Sequence, residues 1–423
     1  MLCRASYCRR LLARSLATEA SSSSTAASDL PGFPLPHRQQ SSQQTKQRAR
    51  LHPRPRPSTS HHHSNLPELP PSFGRNQFLP VSNSTRALLE SIFAQFNAPI
   101  RYAFAYGSGV FEQDGYNLPA TPSDPNSPML DFMFAVTHPD HFHSINMQQH
   151  PSHYPLHART LGSDYASRVQ AIGPGVWFNA YVPMKGVTIK YGVTTVDNLC
   201  IDLLNWRTLY LAGRMHKPLR IIKDDARVRL TQQVNLTSAI RAALLTLPAE
   251  FSEIELFERI AGISYAGDPR MILPTENRNK AGNIVRKQAP QFKELYHRLA
   301  IGLPGLHWPA HLSTIKQDTS PLAKSAHLRK LPSGLLSRVE RHFGSREGKP
   351  SREKEEGLYW VKLAEDEKLG ERVKKEMAAI VRAPATVQSL KGIVTAGVGK
   401  SMRYTLAKVS KWWNSKGSSK TSS

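Results

Sequence analysis

Gly107-Ser108-Gly109 follows directly on the alternating run RYAFAY at 101–106. A glycine at that point lets the backbone turn sharply, so amide groups and the Ser108 hydroxyl can approach a phosphate with no Cβ in the way. Ordinary loops also use Gly-Ser-Gly turns, so the tripeptide alone does not identify a phosphate site. Asp131 sits inside the apolar run MLDFMFAV at 129–136, where a lone carboxylate needs a partner. Beside the glycine turn it can hold Mg²⁺ against triphosphate oxygens, or it can pair with an arginine. Lys190, in TIKYG at 188–192, is suited to neutralising phosphate charge, with Tyr191 next to it as a second binding residue. Solvent exposure explains the lysine equally well.

The order strand, Gly-Ser, loop, strand with Asp is that of the nucleotidyltransferase fold. That fold usually places two acids alternately on the second strand and a third elsewhere, whereas Met129 and Met133 stand two positions from Asp131. Glu112, Asp114 and Asp202 are the candidates for a further metal ligand, although Asp202 equally suits a salt bridge. Asn277, Arg278, Lys280 and Arg286 form a polar, basic cluster that can bind phosphate or serve as a solvated face. His143 and His153 lie in a Pro/His-rich stretch and either contact substrate or order a loop. No Ser-His-Asp or Cys-His arrangement is evident, and an already anionic phosphate nucleophile needs no strong base. The three cysteines, Cys3, Cys8 and Cys200, fit neither a disulfide framework nor a cysteine zinc site, which points to a reducing compartment.

The elements that must hold these residues read as an α+β body. A helix over 85–96 precedes strands at 101–106 and 129–136, and strands at 176–182 and 187–191 are joined by the turn Pro183-Met184-Lys185-Gly186. From Thr195 the stripe Leu199, Leu203, Trp206 and Tyr210 predicts a helix closing at Gly213. A helix over 237–247 then precedes Pro248, and Ser252 with Glu255 makes a capping box that opens another. The predicted organisation is a transit peptide and disordered linker over 1–72, a mixed-sheet nucleotidyltransferase domain over 73–222 and a mostly helical, winged-helix-like domain over 223–310. A disordered or inserted connector follows over 311–356, and a helical tail over 357–423. In that tail Lys391, Lys400, Arg403, Trp412 and Trp413 belong to a basic amphipathic helix suited to an anionic membrane surface, or to a solvated basic helix.

Charge placement narrows the function classes. The net charge is +24 over 423 residues, but 1–72 holds ten Lys/Arg against three Asp/Glu, 311–356 ten against six, and 384–423 seven against none. The body is thus weakly charged, which argues against a nucleic-acid-binding core. The start MLCRASYCRRLLARSLATEA intersperses Arg4, Arg9, Arg10 and Arg14 among leucines, as mitochondrial transit peptides do. No run approaches the roughly 20 apolar residues of a membrane span.

Five segments, YAFAYGSGVFEQDGY (102–116), MLDFMFAV (129–136), IKYGV (189–193), LYLAGRMHKP (209–218) and SYAGDPRM (264–271), resemble the Tam-type mitochondrial CDP-diacylglycerol synthases. The resemblance runs from about 73 to about 300. It implies a peripheral inner-membrane protein on the matrix side that converts CTP and phosphatidic acid to CDP-diacylglycerol and pyrophosphate for cardiolipin synthesis. It also implies a winged-helix-like second domain and a membrane-docking C-terminal helix. Two rival expectations are an RNA nucleotidyltransferase, which needs a basic track on the folded body, and a non-enzymatic assembly factor, for which Asp131 is dispensable.

Overall fold

The computed structural model describes residues 69–111, 129–272, 279–343 and 353–396, all within one compact unit. Helix α1 (Asn83–Phe93) opens on Ser82, whose hydroxyl accepts from the Thr85 amide. Strands β1 (Tyr102–Tyr106) and β2 (Leu130–Val136) pair antiparallel with Tyr106 opposite Asp131. Helices α2 (Pro139–Gln149) and α3 (Leu156–Ala171) follow, then β3 (Trp177–Met184) and β4 (Val187–Thr195). After α4 (Val196–Asn205) and β5 (Leu219–Lys223) the five strands stand in the order β3-β4-β2-β1-β5. Only β2 and β4 run parallel, with Asp131 beside Lys190. The central strands are apolar almost throughout because elements cover both faces.

The second part of the chain runs α5 (Ala226–Leu244), β6 (Glu250–Ser252), α6 (Glu253–Gly262) and α7 (Lys280–Ala300), then the hairpin β7 (Leu306–His307) and β8 (Thr314–Gln317). The three short strands pair in the order β6-β8-β7. The predicted capping box is present, with Ser252 and Glu255 exchanging side-chain-to-backbone bonds at the start of α6. Phe257 stacks on Phe292 at 5.4 Å to join α6 to α7. The Asp225 carboxylate caps α5 and takes Arg101 at 2.7 Å, fastening this part to the edge of β1.

Three expectations change. Residues 311–343, read as a connector, carry β8 and two helices, α8 (Pro321–Leu328) and α9 (Ser333–Glu340), with Ile315, Leu328, Leu335 and Val339 buried. Ala323 and Leu328 of α8 and Leu335 and Val339 of α9 turn inward while Leu322 stays exposed, so a mainly polar composition conceals a packed segment. Helix α10 (Glu353–Ala364) follows, and α11 (Leu369–Ala396), with Pro384 inside it, packs the first part of the predicted 357–423 tail onto the body. Helix α11 is pressed against the rest of the fold. A Cβ on Gly267 would meet the Ala378 carbonyl at 2.2 Å, and one on Gly173 would meet Val387 at 2.6 Å.

The third change concerns Asp202. The helix predicted to reach Gly213 stops at Asn205, with Trp206 at φ 51 and Leu209 at φ 54. One Asp202 oxygen accepts from the amides of Thr208 and Leu209 and from the Thr208 hydroxyl, while the other accepts from the amides of Leu211 and Ala212. The carboxylate folds the 206–217 loop around itself and, at 1% exposure, has no free edge for a cation. Asp202→Ala should therefore leave four buried amides without acceptors and lower stability by roughly 3–5 kcal/mol. A urea midpoint equal to that of the parent protein would refute this role.

Candidate active site

Side-chain alternation along β4 decides which predicted residues meet. Lys190 and Gly192 share one face of the sheet with Asp131 and Tyr106, whereas Tyr191 points to the other. There Tyr191 is fully buried, its ring 5.5 Å from Phe134 and its hydroxyl bonded to Asn146 at 2.8 Å and His153 at 2.9 Å. His143 belongs to the same buried network, held by Tyr154 and Gln170 at 2.8 Å each. Burial pushes the His143 imidazole down to about 4, so it is neutral at physiological pH. Tyr191, His143 and His153 thus brace the back of the sheet.

On the front face, Gly107 adopts φ 88, and its carbonyl accepts from the amides of both Val110 and Phe111. This tight turn swings Ser108 and Gly109 past the end of β2. A Cβ on Gly107 would lie 3.3 Å from Asp131 Oδ2, so the turn and the carboxylate are in direct apposition. Lys190 Nζ lies 3.5 Å from Asp131 Oδ1 and 4.7 Å from the centre of the Phe178 ring. Gly192 makes room for that ring, since a Cβ there would meet Phe178 at 2.6 Å. Asp131 Oδ1 is buried and receives no hydrogen bond among the described residues.

The 206–217 loop supplies a second cation that sequence reading did not single out. The Arg214 guanidinium stacks 3.8 Å from the centre of the Tyr210 ring and donates to the Tyr210 carbonyl at 2.6 Å. It also reaches the Tyr106 hydroxyl at 3.4 Å and lies 6.0 Å from Phe178. Burial opposes its charge, but Tyr210, Tyr106 and Asp131 more than offset this and raise its pKa further. Burial, then Asp131, raise the Tyr106 pKa, so that phenol keeps its proton.

Beyond Arg214, the Lys217 ammonium bonds the Gly213 carbonyl at 2.5 Å and the Ser264 hydroxyl at 2.7 Å, and lies 5.0 Å from the Tyr265 ring. Lys280, at the start of α7, lies 5.6 Å from the same ring. Gly213 permits this contact, because a Cβ there would meet Ser264 at 2.6 Å. Arg270 grips buried Asp268 with bonds of 2.6–3.2 Å to both oxygens. Burial would raise the Asp268 pKa, but Arg270 outweighs it and holds the carboxyl below its ordinary range. Three of the quoted sequence segments, 189–193, 209–218 and 264–271, thus meet in a basic, aromatic-lined cluster opposite Asp131. Periodicity could not reveal Arg214 or Lys217, because they lie on a loop shaped by Asp202.

The remaining predicted residues fall elsewhere. Lys391 is 6% exposed on α11 and donates to the carbonyls of Gln170 at 3.2 Å and Ile172 at 2.7 Å. This corrects its assignment to a membrane face, since the ammonium turns inward to fasten α11 to the end of α3. Glu112, Asp114, Asn277, Arg278, Lys400, Arg403, Trp412 and Trp413 lie outside the described residues. Among the described residues no group of three His, Cys, Asp or Glu is placed to hold a metal, and no helix is long and apolar enough to cross a membrane.

The sequence model of a family described as mitochondrial phosphatidate cytidylyltransferase matches residues 89–411. A Xenopus laevis protein of that name is 39% identical over 336 residues, covering 79% of this chain and 96% of its own length. Its Saccharomyces cerevisiae namesake is 34% identical over 344 residues, covering 80% and 74%. The Homo sapiens protein is 38% identical over 322 residues, covering 75% and 69%.

Proposed function

The chain belongs to the mitochondrial phosphatidate cytidylyltransferase family, and from that premise we propose that the Gly107–Asp131–Lys190–Arg214 cluster transfers a cytidylyl group from CTP to phosphatidic acid. The observation that carries the assignment to this cluster is the apposition of a glycine turn, a carboxylate with an unbonded oxygen and two cations on one sheet face. A phosphate oxygen of phosphatidate attacks the α-phosphorus of CTP. A P–O bond to the acceptor forms, the α–β phosphoanhydride breaks, and pyrophosphate leaves with the electron pair. Lys190 and Arg214 neutralise charge on the phosphates, and the Gly107-Ser108 turn admits them close to the backbone. The nucleophile is anionic from the start, so no side chain need act as a strong base.

The unbonded Asp131 oxygen supports Mg²⁺ as the cofactor, because that ion takes one or two carboxylates and fills its other positions with water and substrate phosphates. When bound, it would stabilise the pyrophosphate as it departs. The five-stranded sheet and its glycine turn support the nucleotidyltransferase fold. The order helix, strand, helix, helix, hairpin over 226–317, with β6 against β8, supports a winged-helix unit. Residues 397–423, basic and tryptophan-bearing, begin where α11 is fastened down, which supports peripheral docking on the anionic matrix face of the inner membrane.

The test is pyrophosphate release by protein beginning near residue 69, with Mg²⁺, phosphatidate and each of CTP, ATP, GTP and UTP. Release dependent on both CTP and phosphatidate is expected. Truncation after Ala396 should depress turnover on anionic vesicles more than on detergent-dispersed lipid. Absence of CTP-dependent release in either lipid form would remove the enzymatic reading, and equal losses in the two would remove the docking role.

A further inference from the structure

Lys217 is a half-buried cation with no carboxylate partner among the described residues. Its ammonium has three N–H bonds; one goes to the Gly213 carbonyl and one to the Ser264 hydroxyl, while the aromatic face of Tyr265 lies beneath. No acceptor for the third is found among the described residues. Its charged neighbours are also positive, namely Arg214 on its own loop and Lys280 on α7. Asp268, the acid on the adjoining loop, is already held by Arg270. A lysine fixed between two loops, ringed by cations and left with an unused donor, is built to receive an anion.

Two anions reach this site in the proposed reaction, the triphosphate of the donor and the phosphomonoester of the acceptor. The donor's needs are met by the Gly107 turn, Asp131 and Lys190 on the sheet face. Lys217 belongs to the opposite wall, where the 206–217 loop meets Ser264 and Tyr265, with Arg214 between the two groups of residues. Taking the cytidylyltransferase reading as its basis, we propose that Lys217, supported by Ser264 and Tyr265 and flanked by Lys280, binds the phosphomonoester headgroup of phosphatidate and presents it to the nucleotide held opposite.

The electrostatics suit that role. Burial first, then Arg214 and Lys280, lower the Lys217 pKa to about 7. The free protein thus holds Lys217 partly neutral at pH 7 and chiefly neutral above it. A dianionic phosphate favours the ammonium, so headgroup binding draws in a proton and weakens as pH rises through that value. Among the described residues, the titratable groups facing Lys217 are Arg214, Lys280, Tyr265 and the buried His216, which burial and then Lys217 hold neutral.

The experiment compares the parent protein with Lys217→Met and Lys217→Arg, varying phosphatidate at saturating CTP and then CTP at saturating phosphatidate. For Lys217→Met, KM for phosphatidate should rise by about 10-fold or more, on the scale of losing one hydrogen bond to a charged group. KM for CTP should change by less than about 2-fold, well below that scale. Lys217→Arg should recover most of the affinity, and its KM for phosphatidate should rise less than the parent's between pH 6.5 and 8.5, because a guanidinium keeps its charge. Phosphatidate's own second ionisation is common to both proteins and cancels in that comparison. An increase confined to the KM for CTP would assign Lys217 to the donor triphosphate and overturn the proposal. Unchanged KM values in both variants would overturn it too, as would parallel pH profiles for the parent and Lys217→Arg. Loss of all turnover in Lys217→Met would be resolved by equilibrium CTP binding: retained CTP affinity with no saturable phosphatidate binding supports the proposal, and lost CTP affinity overturns it. A parent protein inactive with CTP and phosphatidate would instead defeat the underlying reading.

Discussion

Asp131→Asn should reduce CTP- and phosphatidate-dependent pyrophosphate release by about 10²–10³-fold, on the scale of lost preorganised electrostatic stabilisation. The substitution is close to isosteric, and the carboxylate caps no helix and accepts no hydrogen bond at Oδ1, so the fold should persist. What changes is charge: Lys190 Nζ, 3.5 Å away, loses its counter-charge, and any cation on Oδ1 loses its anionic ligand. Those two effects oppose one another for binding, because removing a negative charge from a polyphosphate site favours the nucleotide while removing the cation disfavours it. They agree for turnover if Mg²⁺ is the cofactor, since an amide would hold that cation less well than a carboxylate and leave the departing pyrophosphate less well stabilised. The signature should therefore lie in kcat, with KM for CTP changed by less than about 10-fold. A variant retaining a tenth of parental kcat would make Asp131 an ordinary ion-pair residue and move the centre of the chemistry away from it.

Residue chemistry and strand alternation carried the sequence reading as far as the sheet face. A lone acid in MLDFMFAV and a lysine in TIKYG stand side by side because β2 and β4 are parallel neighbours in register. The same period of two turns Tyr191 away from Lys190 and into the buried network behind the sheet. Two further departures from expectation have a different physical cause. Asp202 and Lys391 have the composition of functional residues, but each satisfies the backbone: one gathers four amides and the other two carbonyls. Backbone partners separated from Lys391 by more than 200 residues leave no local mark in sequence. Arg214 and Lys217 were hidden for the converse reason, since the stripe through Leu199, Leu203, Trp206 and Tyr210 predicts continued helix where Asp202 enforces a loop.

The Asp202 loop also links stability to chemistry. It projects Arg214 towards Asp131 and Lys217 towards Ser264, and Gly213 lets it touch the 264–270 segment. That segment rests in turn on α11 through Gly267 and Ala378. Two parts of the chain therefore build one cluster through backbone close approaches, which only glycine allows.

Gly107→Ala is the most direct test that such a close approach sets the catalytic geometry. At φ 88 any L side chain is strained, at about 1–2 kcal/mol, and the new Cβ would lie 3.3 Å from Asp131 Oδ2. To relieve both, the turn or the carboxylate must shift by a few tenths of an ångström or more, and misplacements of around 1 Å in a positioned site cost about 10²-fold. We expect kcat/KM to fall by about 10²-fold, with a modest loss of thermal stability. Strain alone cannot explain the fall if Gly162→Ala is measured alongside. Gly162, at φ 84 within α3, shares the positive φ that strains any L side chain, but a Cβ there has no atom within 4 Å. Gly162→Ala should lose comparable stability and keep its turnover. Equal turnover losses in the two variants would show that general destabilisation, rather than the apposition of the turn and Asp131, governs the rate.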